Sequence, residues 1–374
     1  MSDMEYKRLS DCATWGKDRT RDINYESYIS TENMIKDKGG VTIASSLPDS
    51  KTASAYSPND ILLSNIRPYF RKIWYADKNG SCSNDVLVVR ADEDIDSKFL
   101  YYVLSDNNFF NYDTVTSKGT KMPRGTQTAI MKYLVPDINV GKQRKIADIL
   151  SAYDNLIENN NKRIKLLEQM AENLYKEWFV RFRFPGYKDV EFIDGFPKEW
   201  KICRIDQLSK IKAGGDAPDD STKEITDECS IPIYSNGIEN EGLYGYTSKA
   251  KISKPSITIS ARGTVGYTCL RRVSYTPIVR LICVIPHEEK LVNWLFYHFK
   301  RTIVIANGTS QQQITIPMMS REKVLLPTND LIQKFYEYST CYLDEIDSLK
   351  AQNSNLEKQR DMLLPRLMSG KLEV

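Results

Sequence analysis

Histidine, the side chain most often recruited for proton transfer and metal binding near neutral pH, occurs only at 287 and 298 in this chain of 374 residues. Two imidazoles leave almost no material for a His-rich zinc site, a Ser-His-Asp triad or a facial metal triad. The seven cysteines, at 12, 82, 203, 229, 269, 283 and 341, contain no Cys-x-x-Cys pair. Their odd number also argues against a secreted disulfide framework, so reduced thiols are expected. No Gly-x-x-x-x-Gly-Lys-Ser/Thr loop cradles a nucleotide, and neither the Pro-Pro-aromatic tetrapeptide of amino-methyltransferases nor their usual Gly-rich S-adenosylmethionine loop occurs. Glu-x-Lys, a triplet of metal-dependent nucleases, appears at Glu199-Trp200-Lys201 and Glu288-Glu289-Lys290. The first has only Asp194 close upstream, and no acid lies between Glu241 and the second. These residues predict a chain with no catalytic site, metal or cofactor of its own.

The remaining chemistry is cationic. Lys plus Arg total 52 against 49 Asp plus Glu, a near balance that hides an uneven distribution. Residues 242–287 carry Lys249, Lys251, Lys254, Arg262, Arg271, Arg272 and Arg280 without a single acid. Residues 290–321 are likewise acid-free, as are 61–76, with Arg67, Arg71 and Lys72, and 114–136, with Lys118, Lys121, Arg124 and Lys132. A phosphate backbone rewards such strips through counterion release and direct Arg or Lys contacts, although acid-free strands can also simply be buried. Among the cations stand Thr264, Tyr267, Ser310, Gln311, Gln312 and Gln313, whose hydroxyl and amide groups suit base edges, as Arg suits guanine. The stretch Gly263-Thr-Val-Gly266 fits either a phosphate-approach turn or a hairpin turn.

The elements that position these residues are organised by an internal repeat. Arg8-Leu9 matches Arg204-Ile205, and ILLSNIRPYF from Ile61 matches ITISARGTVG from Ile257, at an offset of 196. Gly119-Thr120 falls on Gly308-Thr309, and Tyr153 on Tyr342, at an offset of 189. The acid-free strips largely coincide under these offsets. Each half begins with short alternating stretches such as DVLVVRAD from Asp85 and SITISARGT from Ser256, which predict strands and an α+β domain. Each half ends in a heptad seam. The first holds Ile146, Leu150, Tyr153, Ile157, Asn160, Ile164, Leu167, Ala171, Leu174 and Trp178, and the second Phe335, Ser339, Tyr342, Ile346, Leu349, Asn353, Leu356 and Leu363. Two long helices packed on each other are expected, with Asn160 and Asn353 as either tolerated polar positions or register pins. The expected divisions are 1–140, a first recognition domain; 141–186, a central helix and connector; 187–326, a second recognition domain; and 327–374, a C-terminal helix. MSDMEYKRLS has no apolar run and no apolar stretch is long enough to span a bilayer, so a soluble, cytoplasmic protein without membrane contact is expected.

GKQRKIADILSAYDNLIENNNKRIKLLEQMAENLYKEWFVRFRFPG, from Gly141, closely resembles the central region of specificity subunits of type I restriction-modification systems. IPIYSNGIENEGLYGY from Ile231, ITISARGTVGY from Ile257 and NGTSQQQITIPMM from Asn307 resemble their target recognition domains. The sequence departs from the family where Gly141-Lys142-Gln143 and Leu331-Ile332-Gln333 replace the usual Pro-x-x-Glu-Gln helix entries, and where Arg67-Pro68 stands for Arg262-Gly263. The resemblance implies two target recognition domains held apart by an antiparallel helix pair in a pseudo-twofold arrangement. Each domain would read one part of a split double-stranded DNA target, with the helices setting the unread spacer. It implies a non-catalytic chain joined by two modification subunits, which use S-adenosylmethionine to methylate adenine at N6, and by restriction subunits, which use ATP and Mg to cleave DNA. Under this reading Arg67, Arg71, Lys72, Lys118, Lys121, Arg124, Lys249, Lys251, Arg262, Thr264, Tyr267, Arg271, Arg272 and 310–313 face DNA. Trp178, Phe179 and Leu367 would dock modification subunits. Two other classes compete: a self-sufficient methyltransferase or endonuclease, which lacks a visible active site, and a coiled-coil adaptor without DNA contact, which leaves the repeated cationic strips unexplained.

Overall fold

The computed structural model describes residues 5–306 and 313–368 together with Leu372, and side chains throughout except at 303–306. Packing divides the chain into two compact units, Met1–Asn160 with Ala351–Val374, and Asn161–Lys350. The strand-rich and helical segments expected to separate near 140, 186 and 326 are thus shared differently. Each unit takes half of each long helix, because the inner faces of those helices belong to its core.

In the first unit, Tyr6–Arg8 pairs antiparallel with Leu134–Pro136. A four-stranded sheet runs in the order Ala13–Trp15, Val86–Ala91, Ile61–Ser64, Ile73–Tyr75. Its inner strands read VLVVRA and ILLS, and Val86–Val89 and Ile61–Ser64 are buried residue after residue. Such continuous runs mark strands covered on both faces rather than half-exposed ones. Two capped helices, Ser97–Ser105 and Asn107–Thr116, cover the sheet; Asp96 accepts from the Phe99 N–H at 2.9 Å and Asp106 from the Asn108 N–H at 2.7 Å. Phe99, Leu100, Phe109, Ile61, Ile146, Leu150 and Leu367 join one core. A second sheet, Arg19–Thr20, Ala53–Tyr56, Gly80–Cys82, Tyr28–Ile29, lies beyond the first in the chain's topology.

The second unit repeats this plan in its entry pair and its four-stranded sheet, while its companion sheet has three strands in place of four. Lys201–Arg204 pairs antiparallel with Lys323–Leu326. The four-stranded sheet runs Ser209–Ala213, Ile282–Pro286, Ser256–Ile259, Thr268–Arg271, and the companion sheet Leu243–Thr247, Ile231–Tyr234, Thr276–Pro277. Even the first turn recurs: the Arg8 N–H donates to Asp11 Oδ2 at 3.2 Å and the Arg204 N–H to Gln207 Oε1 at 2.9 Å. The repeat expected from two sequence offsets is therefore a repeat of topology.

The long helices span Val140–Tyr175, continued by a wide turn at Lys176–Val180, and Asn329–Met368. Every expected seam position is buried or half-buried. Within the first unit the helices run antiparallel: Asn160 Nδ2 donates to Asn353 Oδ1 at 2.9 Å, and about two turns away Asp154 accepts from Arg360 Nη1 at 2.6 Å and the Tyr102 hydroxyl at 2.6 Å. Asn160 and Asn353 thus satisfy each other in a buried seam, the arrangement by which a polar pair selects register. Within the second unit Arg163 meets Glu345 at 2.6 Å, and the Phe335 ring lies 4.9 Å from Phe179 and 6.0 Å from Trp178.

Trp178, Phe179 and Leu367 were expected to face a partner. They are instead 6%, 9% and 1% exposed and belong to the cores of their own units. The heptad seam continues past the helix–helix contact into the globular part, so its apolar residues are used internally.

Candidate nucleic-acid interface

In the first unit two loops are stitched together at one end of the four-stranded sheet. The loop after Ile61–Ser64 is closed by the Ser64 N–H donating to the Lys72 carbonyl at 3.0 Å. The second loop is a small hairpin in which Lys118 and Arg124 exchange backbone bonds of 2.9 Å. The Arg67 N–H donates to the Pro123 carbonyl at 2.8 Å, and the Gly125 N–H to the Asn65 carbonyl at 3.0 Å, so the loops form one platform. Acid-free residues 61–76 and 114–136, remote in sequence, are thereby joined.

The platform sorts its cations. Arg67, Lys118, Lys121 and Arg124 are exposed, whereas Arg71 and Lys72 are half-buried. Arg71 Nε donates to Asp37 Oδ1 at 2.9 Å, Lys72 Nζ to the Thr31 carbonyl at 2.6 Å, and Arg124 pairs with Asp85 at 3.1 Å. Among the described residues Arg67, Lys118 and Lys121 have no anionic partner. The Arg67 guanidinium and Lys72 ammonium each lie 5.8 Å from the Phe70 ring centre, which orients both by cation–π attraction.

Under this platform Asp113 is fully buried, and neither carboxylate oxygen has a hydrogen-bond partner among the described residues. Desolvation pushes its pKa up to about 6. A Cβ at residue 125 would lie 2.5 Å from Asp113 Oδ1, so only glycine lets the hairpin settle on the carboxylate. Sequence reasoning missed this support; the sole signal was an acid within the otherwise aromatic and polar helix NNFFNYDTVT.

The second unit builds the same platform with different residues. The Ser260 N–H donates to the Tyr267 carbonyl at 2.9 Å, the counterpart of Ser64 and Lys72. Gly263-Thr-Val-Gly266 is therefore a hairpin connection between Ser256–Ile259 and Thr268–Arg271. The Ile314 N–H donates to the Ala261 carbonyl at 3.3 Å, matching Gly125 and Asn65. Both loops need left-handed backbone at two points. The second uses Gly263 and Gly266, at φ of 71° and 87°, and the first uses Arg67 and Arg71, at 52° and 50°. Arg262 and Gln313 are exposed on this platform, while the Thr264 hydroxyl is buried without a partner among the described residues and Tyr267 is half-buried. Ser310, Gln311 and Gln312 lie outside the described residues.

Four expected contacts need correction or relocation. Arg271 is 3% exposed: Nε donates to Thr258 Oγ1 at 2.9 Å, Nη2 to the Glu241 carbonyl at 2.5 Å, and the guanidinium lies 3.6 Å from the Tyr234 ring centre. It is a core cation and cannot face DNA, because Glu241 and Tyr234 from neighbouring chain segments take all its sides. Arg272 is held by Asp344 and by Asp347, the latter at 2.5 Å, on the second long helix. These acids come from a distant segment that a local charge count could not see. Lys249 and Lys251 are exposed, but they precede Ser256–Ile259 and so sit toward the opposite end of that strand from the hairpin.

Of the two histidines, His298 Nε2 lies 2.9 Å from Glu322 Oε1 and His287 is exposed. In the second Glu-x-Lys triplet Lys290 pairs with Glu288 at 2.8 Å and Glu289 accepts from the Tyr336 hydroxyl at 2.9 Å. No cluster of three His, Cys, Asp or Glu that could hold a metal occurs among the described residues, and no helix there is long and apolar enough to cross a membrane.

The fold and site define a duplicated α+β protein in which each half joins a strand–loop platform with cations at its tip to long heptad helices. The family model described as the type I restriction modification DNA specificity domain matches residues 1–169 and again 197–358. The chain is 24% identical over 302 residues to the type I restriction enzyme MjaIX specificity subunit of Methanocaldococcus jannaschii, covering 74% of this chain and 69% of that protein. It is 22% identical to the HindI specificity subunit of Haemophilus influenzae over the full length of both. The crystal structure of a type I S subunit from M. genitalium shares the fold, with a TM-score of 0.60, 16% identity and coverage of 98% of this chain and 97% of that one. The chain belongs to the type I restriction-modification specificity subunit family.

Proposed function

We propose that this chain reads a two-part double-stranded DNA target, one part with each platform, and brings two modification subunits and restriction subunits to it. As a specificity subunit its role is non-catalytic. Methylation of adenine at N6 with S-adenosylmethionine, and ATP- and Mg-dependent cleavage, would belong to those partners in the cytoplasm. The observation that carries the reading is the duplicated platform: the same backbone bonds, Ser64 to Lys72 and Ser260 to Tyr267, present exposed Arg67 and Arg262 at equivalent loops. Phosphate contacts from Lys118 and Lys121 would orient the duplex, and the loop arginines and Gln313 would address base edges.

The test is methylation by the chain assembled with its modification subunits, using radiolabelled S-adenosylmethionine and sequencing of the modified positions. A two-part motif with a constant gap, absent when this chain is omitted, is the expected outcome. Methylation by the purified chain alone would establish the competing self-sufficient enzyme, and binding indifferent to DNA would establish an adaptor.

A further inference from the structure

The second unit carries another cationic site, at the other end of the sheet from its reading loop. Lys210, Lys212, Lys251, Lys254 and His287 line a pocket of about 290 Å³ floored by Ile252. No acid lines it, and among the described residues none of the four ammonium groups has a hydrogen-bond or ion-pair partner. Arg71, Arg124, Arg271 and Arg272, by contrast, are all engaged by acids of their own unit.

The lysines converge for structural reasons. Lys210 and Lys212 stand two apart on the edge strand Ser209–Ala213, so they share a face. Lys251 and Lys254 come from a separate segment, fixed by the Lys251 and Ile252 N–H groups donating to the Tyr275 carbonyl at 3.1 and 3.0 Å. Lysines on an edge strand alone would serve to discourage edge pairing. A second pair delivered to the same concavity from elsewhere has no such use, and its mutual repulsion calls for an anion.

A pocket of about 370 Å³ at the corresponding end of the first unit's sheet shares only part of this lining, and shows that the sheet end does not itself demand a purely cationic wall. Ser57, Pro58, Arg90 and Ala91 there correspond to Ser253, Lys254, Ile285 and Pro286, but its lining includes Asp60, Glu93 and Asp96. Arg90 is neutralised by two 2.8 Å bonds to Asp60. The basic pocket is thus particular to the second unit.

We infer that this pocket grips backbone phosphate of the same DNA, outside the bases addressed by the Arg262 loop. Strand Ser256–Ile259 separates pocket from loop by roughly 10–15 Å at about 3.3 Å per residue. That span is comparable to the width of a major groove, about 12 Å, so a loop directed at base edges leaves a flanking phosphate within reach of the lysines. The inference rests on the proposed DNA reading but concerns contacts that carry no sequence information.

The experiment compares the assembled complex with its Lys210→Gln/Lys254→Gln and Lys210→Arg/Lys254→Arg forms, measuring affinity for target and scrambled duplexes across a salt series. Each lost phosphate contact lowers the slope of log K against log salt by about 0.9, so the Gln form should lose roughly 1–2 units while the ratio of target to scrambled affinity stays constant. The Arg form should retain the wild-type slope. Glutamine keeps the aliphatic stems, and an unchanged denaturation midpoint verifies folding. An unchanged slope in the Gln form would overturn the inference, even with intact target preference in the wild type. Loss of target preference in the wild type would instead overturn the DNA reading. Inorganic tripolyphosphate titrated calorimetrically supplies a further arm: binding abolished in the Gln form, with an unchanged DNA slope, would assign the pocket to a free polyphosphate and refute the DNA contact.

Discussion

The two platforms reach the same backbone by opposite means. In the second unit glycines at 263 and 266 supply the left-handed turns without steric cost. In the first, Arg67 and Arg71 occupy those conformations, which cost about 1 kcal/mol or more each for a side-chain-bearing residue. Ties to Pro123, Asp37 and Phe70 offset that cost. The first loop is therefore a restrained platform whose cations are aimed, and the second an open one whose single exposed arginine, Arg262, stands beside the glycine pair. One topology can carry two different readers because the sheet fixes where the loop begins and ends while its interior remains free to vary.

If the first platform depends on its support, Gly125→Ala should be the most damaging change. The added Cβ would meet the Asp113 carboxylate at 2.5 Å, and overpacking of this kind costs roughly 1–3 kcal/mol. Chemical denaturation should show the loss, and reading of one part of the target should fail. An Ala at Gly263, which faces open space, should cost only the left-handed penalty of about 1–2 kcal/mol. Equal losses would remove the contrast.

Asp113 sharpens the comparison through pH. Its folded pKa, about 6, lies above the usual carboxylate value of 3.8, so the folded state binds the proton more tightly than the unfolded chain. Stability of the first unit should fall as pH rises from about 4 to 6 and stay lowered above that window. Asp113→Asn should flatten this dependence and stabilise the protein at pH 7 by up to about 3 kcal/mol, read from denaturation midpoints across the pH series. A variant that keeps the wild-type slope would show that Asp113 finds a partner on folding.

Smaller effects should separate paired from unpaired cations. Lys121→Ala should weaken DNA binding and reduce the salt slope by about 0.9, the loss of one phosphate contact. Arg272→Ala should leave the slope intact, because Asp344 and Asp347 already hold the guanidinium, and should cost at most about 1 kcal/mol of stability. A reduced slope for Arg272→Ala would mean that those ion pairs open in the complex.

Much of this architecture was legible in the sequence. Heptad spacing fixed both helix faces, since a period of seven survives any tertiary context that keeps the helices paired. The two offsets revealed the repeat, and the acid-free strips located the loops that become platforms. What the sequence concealed was long-range pairing. Arg271 and Arg272 lie in a stretch without acids, yet Glu241, Asp344 and Asp347 reach them from other segments. Trp178 and Phe179 looked like spare helix surface, but Phe335 covers both. The lysine pocket was hidden because edge-strand alternation and a separate turn had to be superimposed before four isolated charges became one site.

The central claim, one platform for each part of the target, is tested most directly by methylation mapping with Arg67→Ala and Arg262→Ala complexes side by side. Relaxed sequence preference in one part of the motif for Arg67→Ala and in the other part for Arg262→Ala is the predicted result. Relaxation of the same part by both, or of neither, would contradict it.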